Sequence, residues 1–152
     1  MSRYTTARAA RRALDQRLQH VDVEALAPPR TGWLAAVRES LGMSSADLGA
    51  RLHVSRQAVA ATEASERAGT VRMSTIAAAA EALGCQLVYA LIPVGGTLEG
   101  IVQAQAGRIV DAWAGSTSQS MALEGQAIEL TPASRQDHID DLIRSGKLWR
   151  TP

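Results

Sequence analysis

The chain has 152 residues, 46% of them hydrophobic, enough to bury a core in one ordinary domain or two small ones. It lacks Phe entirely, and alanine dominates its apolar set, which favours closely packed helices over a strand-rich sandwich. The net charge of +1 hides an asymmetry: residues 1–72 hold 11 Lys+Arg against 7 Asp+Glu, whereas residues 73–152 hold 5 against 8. A front half of +4 permits weak, salt-sensitive attraction to nucleic acid without establishing it. No apolar signal-peptide core opens the chain, and the longest apolar run, "LVYALIPV", is too short to span a bilayer, so a cytoplasmic protein is expected. Cys85 is the only cysteine, which excludes an intrachain disulfide, and it is expected to be a small buried apolar residue. His20, His53 and His138 are too scattered for a metal site, and no metal or cofactor is expected.

In chain order, "TARAARRALDQRLQHVD" places Leu14, Leu18 and Val21 at helical spacing, with arginines around the rest of the turn forming a solvated face. "APPRTG" ends this basic N-terminal helix, read as a segment of its own over residues 1–27. Thr31 is expected to cap a helix holding Trp33, Leu34, Val37 and Leu41, closed by Gly42. Ser44 opens the next, with Asp47 three residues on in a short version of the capping box. Ser55 starts a third after a very short turn, and "MSTIAAAAEALG" a fourth, with Ile76, Ala80 and Leu83 inward and Gly84 as its stop. "QLVYALIP" reads as a strand, 86–92, ended by Pro93. A lone strand is no sheet, so a partner is expected, plausibly the same strand of a second subunit.

After Gly95 the character changes. A helix from about Leu98 to Trp113 carries Ile101, Gln105, Ile109 and Trp113 four apart, with Val102 and Val110 beside them, and "GSTSQS" is expected to loosen or kink it. A short turn "SMALE" stops at Gly125. Thr131 and Pro132 then supply a cap and a proline at the first helical position of a last helix, which carries Ile139, Leu142 and Ile143 and ends at Gly146. The expected organisation is therefore residues 1–27, a domain at 28–94, and a helical region at 97–150. The fold class is mainly α, a helical bundle with one short strand followed by a small helical segment.

Two of these helices carry a motif. "MSSADLGARLHVSRQAVAATEAS" joins two short helices by a tight turn, with Leu48, Leu52 and Val59 placed to bury the angle between them, and it resembles the helix-turn-helix of Cro/C1-type repressors. The resemblance implies that the second helix enters the major groove of double-stranded DNA, that Ser55 caps it, and that Arg56, Gln57 and Ala61 meet base edges. Arg56 suits guanine and Gln57 adenine, each good bidentate contact contributing roughly 1–3 kcal/mol of discrimination. Ser45, Arg67 and Arg72 match positions where such proteins reach phosphate, which fixes register without reading sequence. His53 stands at the turn position usually held by glycine, a substitution histidine tolerates because it enters the left-handed region more readily than most residues. Alanines at 60 and 61 replace side chains that are often polar, so the reading surface is thin.

Residues 28–93, from "PPRTGWLAAVRESLGM" to "AAEALGCQLVYALIP", further resemble a group of bacterial repressor-like proteins named mobile mystery protein A. In that family the gene typically neighbours one for a Fic-domain protein, a class that transfers AMP from ATP to target hydroxyls. "SMALEG" then acquires a meaning, because it resembles the inhibitory motif of antitoxins that silence Fic enzymes: Ser/Thr, any three residues, Glu, Gly/Asn. The helices around it, across about 98–148, resemble the small helical fold of those antitoxins. Residues 120 and 124 are one helical turn apart, so the Ser120 hydroxyl and the Glu124 carboxylate share a face. The resemblance implies that Glu124 occupies, by a bidentate charge-assisted pair, the arginine that would hold the γ-phosphate of ATP. Nucleotidyl transfer depends largely on alignment and charge stabilisation, and it stalls without that anchor. Gly125 lets the chain turn away from the cleft.

The first expectation is therefore an antitoxin that inhibits a Fic AMP-transferase and represses its own operon as a homodimer, joined through the helix-turn-helix domain and strand 86–92. The alternative is a free-standing regulator whose C-terminal helices only dimerise or sense a ligand. An enzyme is not expected: the chain offers no phosphate-cradling glycine loop with lysine and no paired nucleophile and base. Trp113 and Trp149 serve equally well as interface anchors or as core in a chain without Phe.

Overall fold

The computed structural model describes residues 3–122 and 131–150. Among these are seven helices: α1 (Arg3–Leu18), α2 (Trp33–Ser40), α3 (Ser45–Leu52), α4 (Arg56–Arg67), α5 (Met73–Ala82), α6 (Leu98–Ala122) and α7 (Pro132–Ser145). The fold is mainly α, as the composition indicated. The chain divides into two compact units, Asp22–Leu91 in one and Met1–Val21 with Ile92–Pro152 in the other. No described helix is long and apolar enough to cross a membrane.

In the 22–91 unit the helix boundaries follow local chemistry. Ser44 accepts the Asp47 N–H while Asp47 accepts the Ser44 N–H, the reciprocal capping box expected for α3. The Ser44 hydroxyl, which donates to the Asp47 carboxylate at 2.6 Å, and then the Ser44 N–H hold the Asp47 carboxyl below its ordinary pKa. Gly42 and Gly84, at φ 70° and 76°, take the left-handed step after α2 and α5. The core is Leu34, Leu48, Val59, Ala79 and Leu83, with Val37, Met43, Leu52 and Ile76 packed around it.

The start of α2 departs from expectation. Thr31 does not cap it; Gly32 stands at the cap position without a side chain to offer. The orphan N–H groups of Trp33 and Leu34 donate instead to the two carboxylate oxygens of Glu66, at 2.9 and 3.1 Å. An acid from the end of α4 thus does what a local cap would have done, and it suits the positive end of the helix dipole.

The expected strand is also absent. Residues 85–93 run without helix, turn or bend, and no ladder forms among the described residues. A strand is defined by its hydrogen-bonding neighbour, and this unit supplies none. Cys85, at the head of that segment, is exposed rather than buried.

The other unit packs α1, α6 and α7 around Val102, Ala106, Val110, Ile139, Ile143 and Leu148, with Tyr4, Ile109 and Leu142 at the margin. The N-terminal helix, expected as a segment of its own, lies here against α6 and α7. Its inner face is more polar than the Leu14, Leu18, Val21 spacing suggested. Leu14 is exposed, and Asp15 accepts the N–H groups of Leu98 and Glu99 at 2.7 and 3.3 Å while Arg11 Nε pairs with Glu99 at 2.8 Å.

Helix α6 corrects two further expectations. It continues through "GSTSQS" to Ala122 without a break. Its buried seam runs through Val102, Ala106 and Val110, one residue over from the expected seam, leaving Ile101 and Trp113 exposed. Small residues decide this: Ala106 and Gly107 let α7 approach, and a Cβ on Gly107 would stand 3.1 Å from the Arg135 guanidinium. Helix α7 begins as expected, with Thr131 accepting the Ser134 N–H, Pro132 in the first turn, and Gly146 at φ 68° closing it.

Candidate nucleic-acid interface

The angle between α3 and α4 is built by three residues of the turn. His53 sits in the left-handed region at φ 56°, ψ 37°, the only non-glycine residue with positive φ among those described. Val54 N–H returns to the Gly49 carbonyl at 2.9 Å. Ser55 then caps α4 by accepting the Ala58 N–H at 3.1 Å. Leu48 and Val59 close the inside of the corner, both almost completely buried. Gly49 is fixed by the same close approach, since a Cβ there would lie 2.7 Å from the Val54 carbonyl oxygen.

This corner leaves one face of α4 outside. Arg56, Gln57, Ala60, Ala61 and Ala64 are exposed, and the positions 57, 60, 61 and 64 share a face by helical spacing. Arg56 and Gln57 occupy the first turn, where a reading helix presents its side chains to base edges. Ser45 stands in the first turn of α3, half-buried. The remaining expected residues are not gathered with them. Arg67 lies in the last turn of α4, about 16 Å along the axis from Arg56, and its guanidinium donates to the Thr31 carbonyl at 3.4 Å. Arg72 holds the cap position of α5 and is exposed.

Sequence reading missed the polar frame behind this face. Arg38 and Glu63 are both buried; Arg38 Nε donates to Glu63 Oε1 at 2.7 Å, Nη2 to Oε2 at 3.2 Å, and Nη1 to the Met43 carbonyl at 2.9 Å. The Glu63 hydrogen bonds hold the Arg38 guanidinium above its ordinary pKa, so it stays charged throughout. The pair ties α2 to α4. A signal was available: Arg38 follows Leu34 by four and Glu63 follows Val59 by four, so opposite charges stand on two apolar seams.

Of the expected inhibitory motif, Ser120 falls within α6, while Glu124 and Gly125 lie outside the described residues. Beside α6, Trp113 stacks on His138 with ring centroids 5.5 Å apart. The two border an open groove of about 370 Å³ lined also by Ile109, Val110, Asp141, Leu142 and Ser145. No group of His, Cys, Asp and Glu placed to hold a metal occurs among the described residues.

No curated protein and no solved structure matched the chain. Residues 34–89 match the family described as helix-turn-helix. That span runs from Leu34 in α2 through the α3–α4 corner and α5, so this segment is a helix-turn-helix domain, the DNA-binding part of a transcription regulator.

Proposed function

We propose that the chain is the antitoxin of a Fic-type toxin–antitoxin pair and that it also represses its own operon. The helix-turn-helix domain would address operator DNA through Arg56, Gln57 and Ala61, with Ser45, Arg67 and Arg72 on phosphate. The region after α5 would hold a Fic AMP-transferase silent by placing Glu124 on the arginine that anchors the γ-phosphate. In this reading the protein is a cytoplasmic inhibitor and repressor, not an enzyme, and needs no cofactor. The observation that carries it is the sequence Ser120–Met121–Ala122–Leu123–Glu124–Gly125, which fits the inhibitory pattern and of which Ser120, Met121 and Ala122 fall within α6.

The test is co-expression with the product of the adjacent gene. Glu124→Gly should release the partner's toxicity and restore its AMP transfer in lysate, while wild type keeps both silent. Full protection by the variant would remove Glu124 from the mechanism. A second reading, a free-standing regulator whose C-terminal helices sense a ligand, draws on the groove beside Trp113 and His138, whose volume falls within the range of small-molecule sites of about 300–1,000 Å³. An adjacent reading frame without a Fic active-site motif, and no protein co-purifying, would favour it.

A further inference from the structure

Helix α1 sorts its charges between two sides. Turned toward its own unit, Arg11 donates through Nε to Glu99 at 2.8 Å, and Asp15 accepts the N–H groups of Leu98 and Glu99. Asp15 is the only acid in the helix, so the other side has none. Arg8, Arg12 and Arg17 are exposed there, and none of the three enters an ion pair or a side-chain hydrogen bond among the described residues. At about 100° per residue, Arg8 and Arg12 stand about 40° apart on one edge of this side, and Arg17 about 140° further round on the other. Thr5, Ala9, Ala13 and Gln16 lie between the edges, all exposed. The result is a shallow strip flanked by unpaired guanidinium groups.

We propose that this outward face of α1 is a second, sequence-independent DNA contact, with Arg8, Arg12 and Arg17 on backbone phosphates of the duplex that the helix-turn-helix domain holds. Charge decides the class of partner: separated guanidinium groups without a carboxylate among them suit a row of phosphates, and the small alanines between them let a backbone approach closely. A lipid surface fits less well, because a helix lying in the interface needs large apolar side chains to insert, and the strip has none. Leu14, the exposed large apolar residue of α1, falls beyond Arg17 toward the packed side. A DNA-binding domain at residues 34–89 of the same chain brings phosphates to the molecule, and α1 lies outside that span. Contacts of this kind add affinity and salt sensitivity but no base preference. The phosphate contact stands on α1 alone; that the duplex is an operator rests on the reading above.

Fluorescence anisotropy of the full chain at several salt concentrations tests it, with two labelled duplexes: the promoter upstream of the gene and a scrambled version. Each phosphate neutralised contributes about 0.9 to the slope of log affinity against log salt, so Arg8→Gln with Arg12→Gln and Arg17→Gln should flatten the slope by about 2.7 on both duplexes. Raising salt fourfold should then weaken wild type about 40 times more than the variant. Glutamine is a good helix former, and the three side chains hold no partner, so the far-UV helical signal should be unchanged. Arg→Lys at the same three positions should keep the wild-type slope, because phosphate needs only the charge. A control that removes equal charge elsewhere in the same unit, Arg108→Gln with Lys147→Gln and Arg150→Gln, should leave the slope near wild type.

An unchanged slope in the α1 variant, or an equal flattening in the control, would overturn the proposal. So would arginine-dependent sedimentation with phosphatidylserine vesicles beside an unchanged DNA slope, which would give the face to a membrane. The same titrations separate this idea from the operator reading. If wild type shows no preference for promoter over scrambled duplex while the α1 variant still flattens the slope, the operator reading falls and the α1 contact stands. If the preference is present and is lost only in Arg56→Ala with Gln57→Ala, while the α1 variant keeps its slope, the α1 contact alone falls.

Discussion

Arg38 and Glu63 form a two-point ion pair inside the helix-turn-helix domain, with Nε–Oε1 at 2.7 Å and both side chains 9% exposed. Buried charges of this kind are costly to desolvate, and their main energetic signature is the penalty for leaving one partner alone. Glu63→Ala or Arg38→Ala should each destabilise the 22–91 unit by about 3–5 kcal/mol, read from urea unfolding. Replacing both by apolar residues of similar volume, Arg38→Met with Glu63→Leu, should recover most of that loss. If the double variant were no better than either single one, the paired charges would not be the source of the effect.

Asp15 makes a comparable link in the other unit. Its carboxylate takes the N–H groups of Leu98 and Glu99 at the start of α6, and a negative charge there also suits the helix dipole. Asp15→Ala should cost about 0.5–2 kcal/mol, the usual range for a lost cap, with Asp15→Asn losing less because one acceptor oxygen remains. Thermal unfolding followed by circular dichroism reads the difference. Equal losses would show that charge, rather than hydrogen bonding, dominates.

Acid should loosen the same unit by a defined route. The Arg135 guanidinium, 2.7 Å from each Asp111 oxygen, holds the Asp111 carboxyl below its ordinary value of 3.8. In the unfolded chain Asp111 takes up its proton near that ordinary value, whereas in the folded chain it resists until the pH is lower. The contribution is therefore fully present above about pH 4 and is lost as the pH falls through the lowered folded value. Asp47, lowered by Ser44, behaves in the same sense in the 22–91 unit. Both groups are on the surface, so the effect is small and screened by salt. Urea midpoints measured from pH 6 to pH 2.5 should fall less steeply for Asp111→Asn than for wild type, and parallel curves would exclude the pair as a source of acid sensitivity.

On DNA the expected residues should separate by kind. Arg56→Ala and Gln57→Ala, in the first turn of α4, should each weaken operator binding by about 1–3 kcal/mol and relax preference at one base pair. Arg72→Ala should weaken all sequences alike and reduce the salt slope by about one. Fluorescence anisotropy at several salt concentrations, with operator and scrambled duplexes, distinguishes the two. A uniform loss for Arg56→Ala would move that residue from base reading to phosphate.

What the sequence determined by itself was the existence, type and punctuation of the helices. Ser44 with Asp47, His53, Ser55, Thr131 with Pro132, and Gly146 all act within one turn of where they stand, so their chemistry is legible one residue at a time. The helix-turn-helix was legible for the same reason: its corner is a local arrangement of Leu48, His53, Ser55 and Val59. Tertiary structure alone decided the long-range partners. Asp15 caps a helix 83 residues away, Glu66 one 33 residues away, and Arg38 meets Glu63 across 25. Nothing in a residue's immediate neighbours encodes such a meeting. The buried face of α6 was settled likewise, because Ala106 and Gly107 look like weak packing residues until a second helix needs the space they leave. Residues 86–92 show the opposite limit: β-prone side chains can be read from the sequence, but a ladder exists only where another strand supplies the matching donors and acceptors.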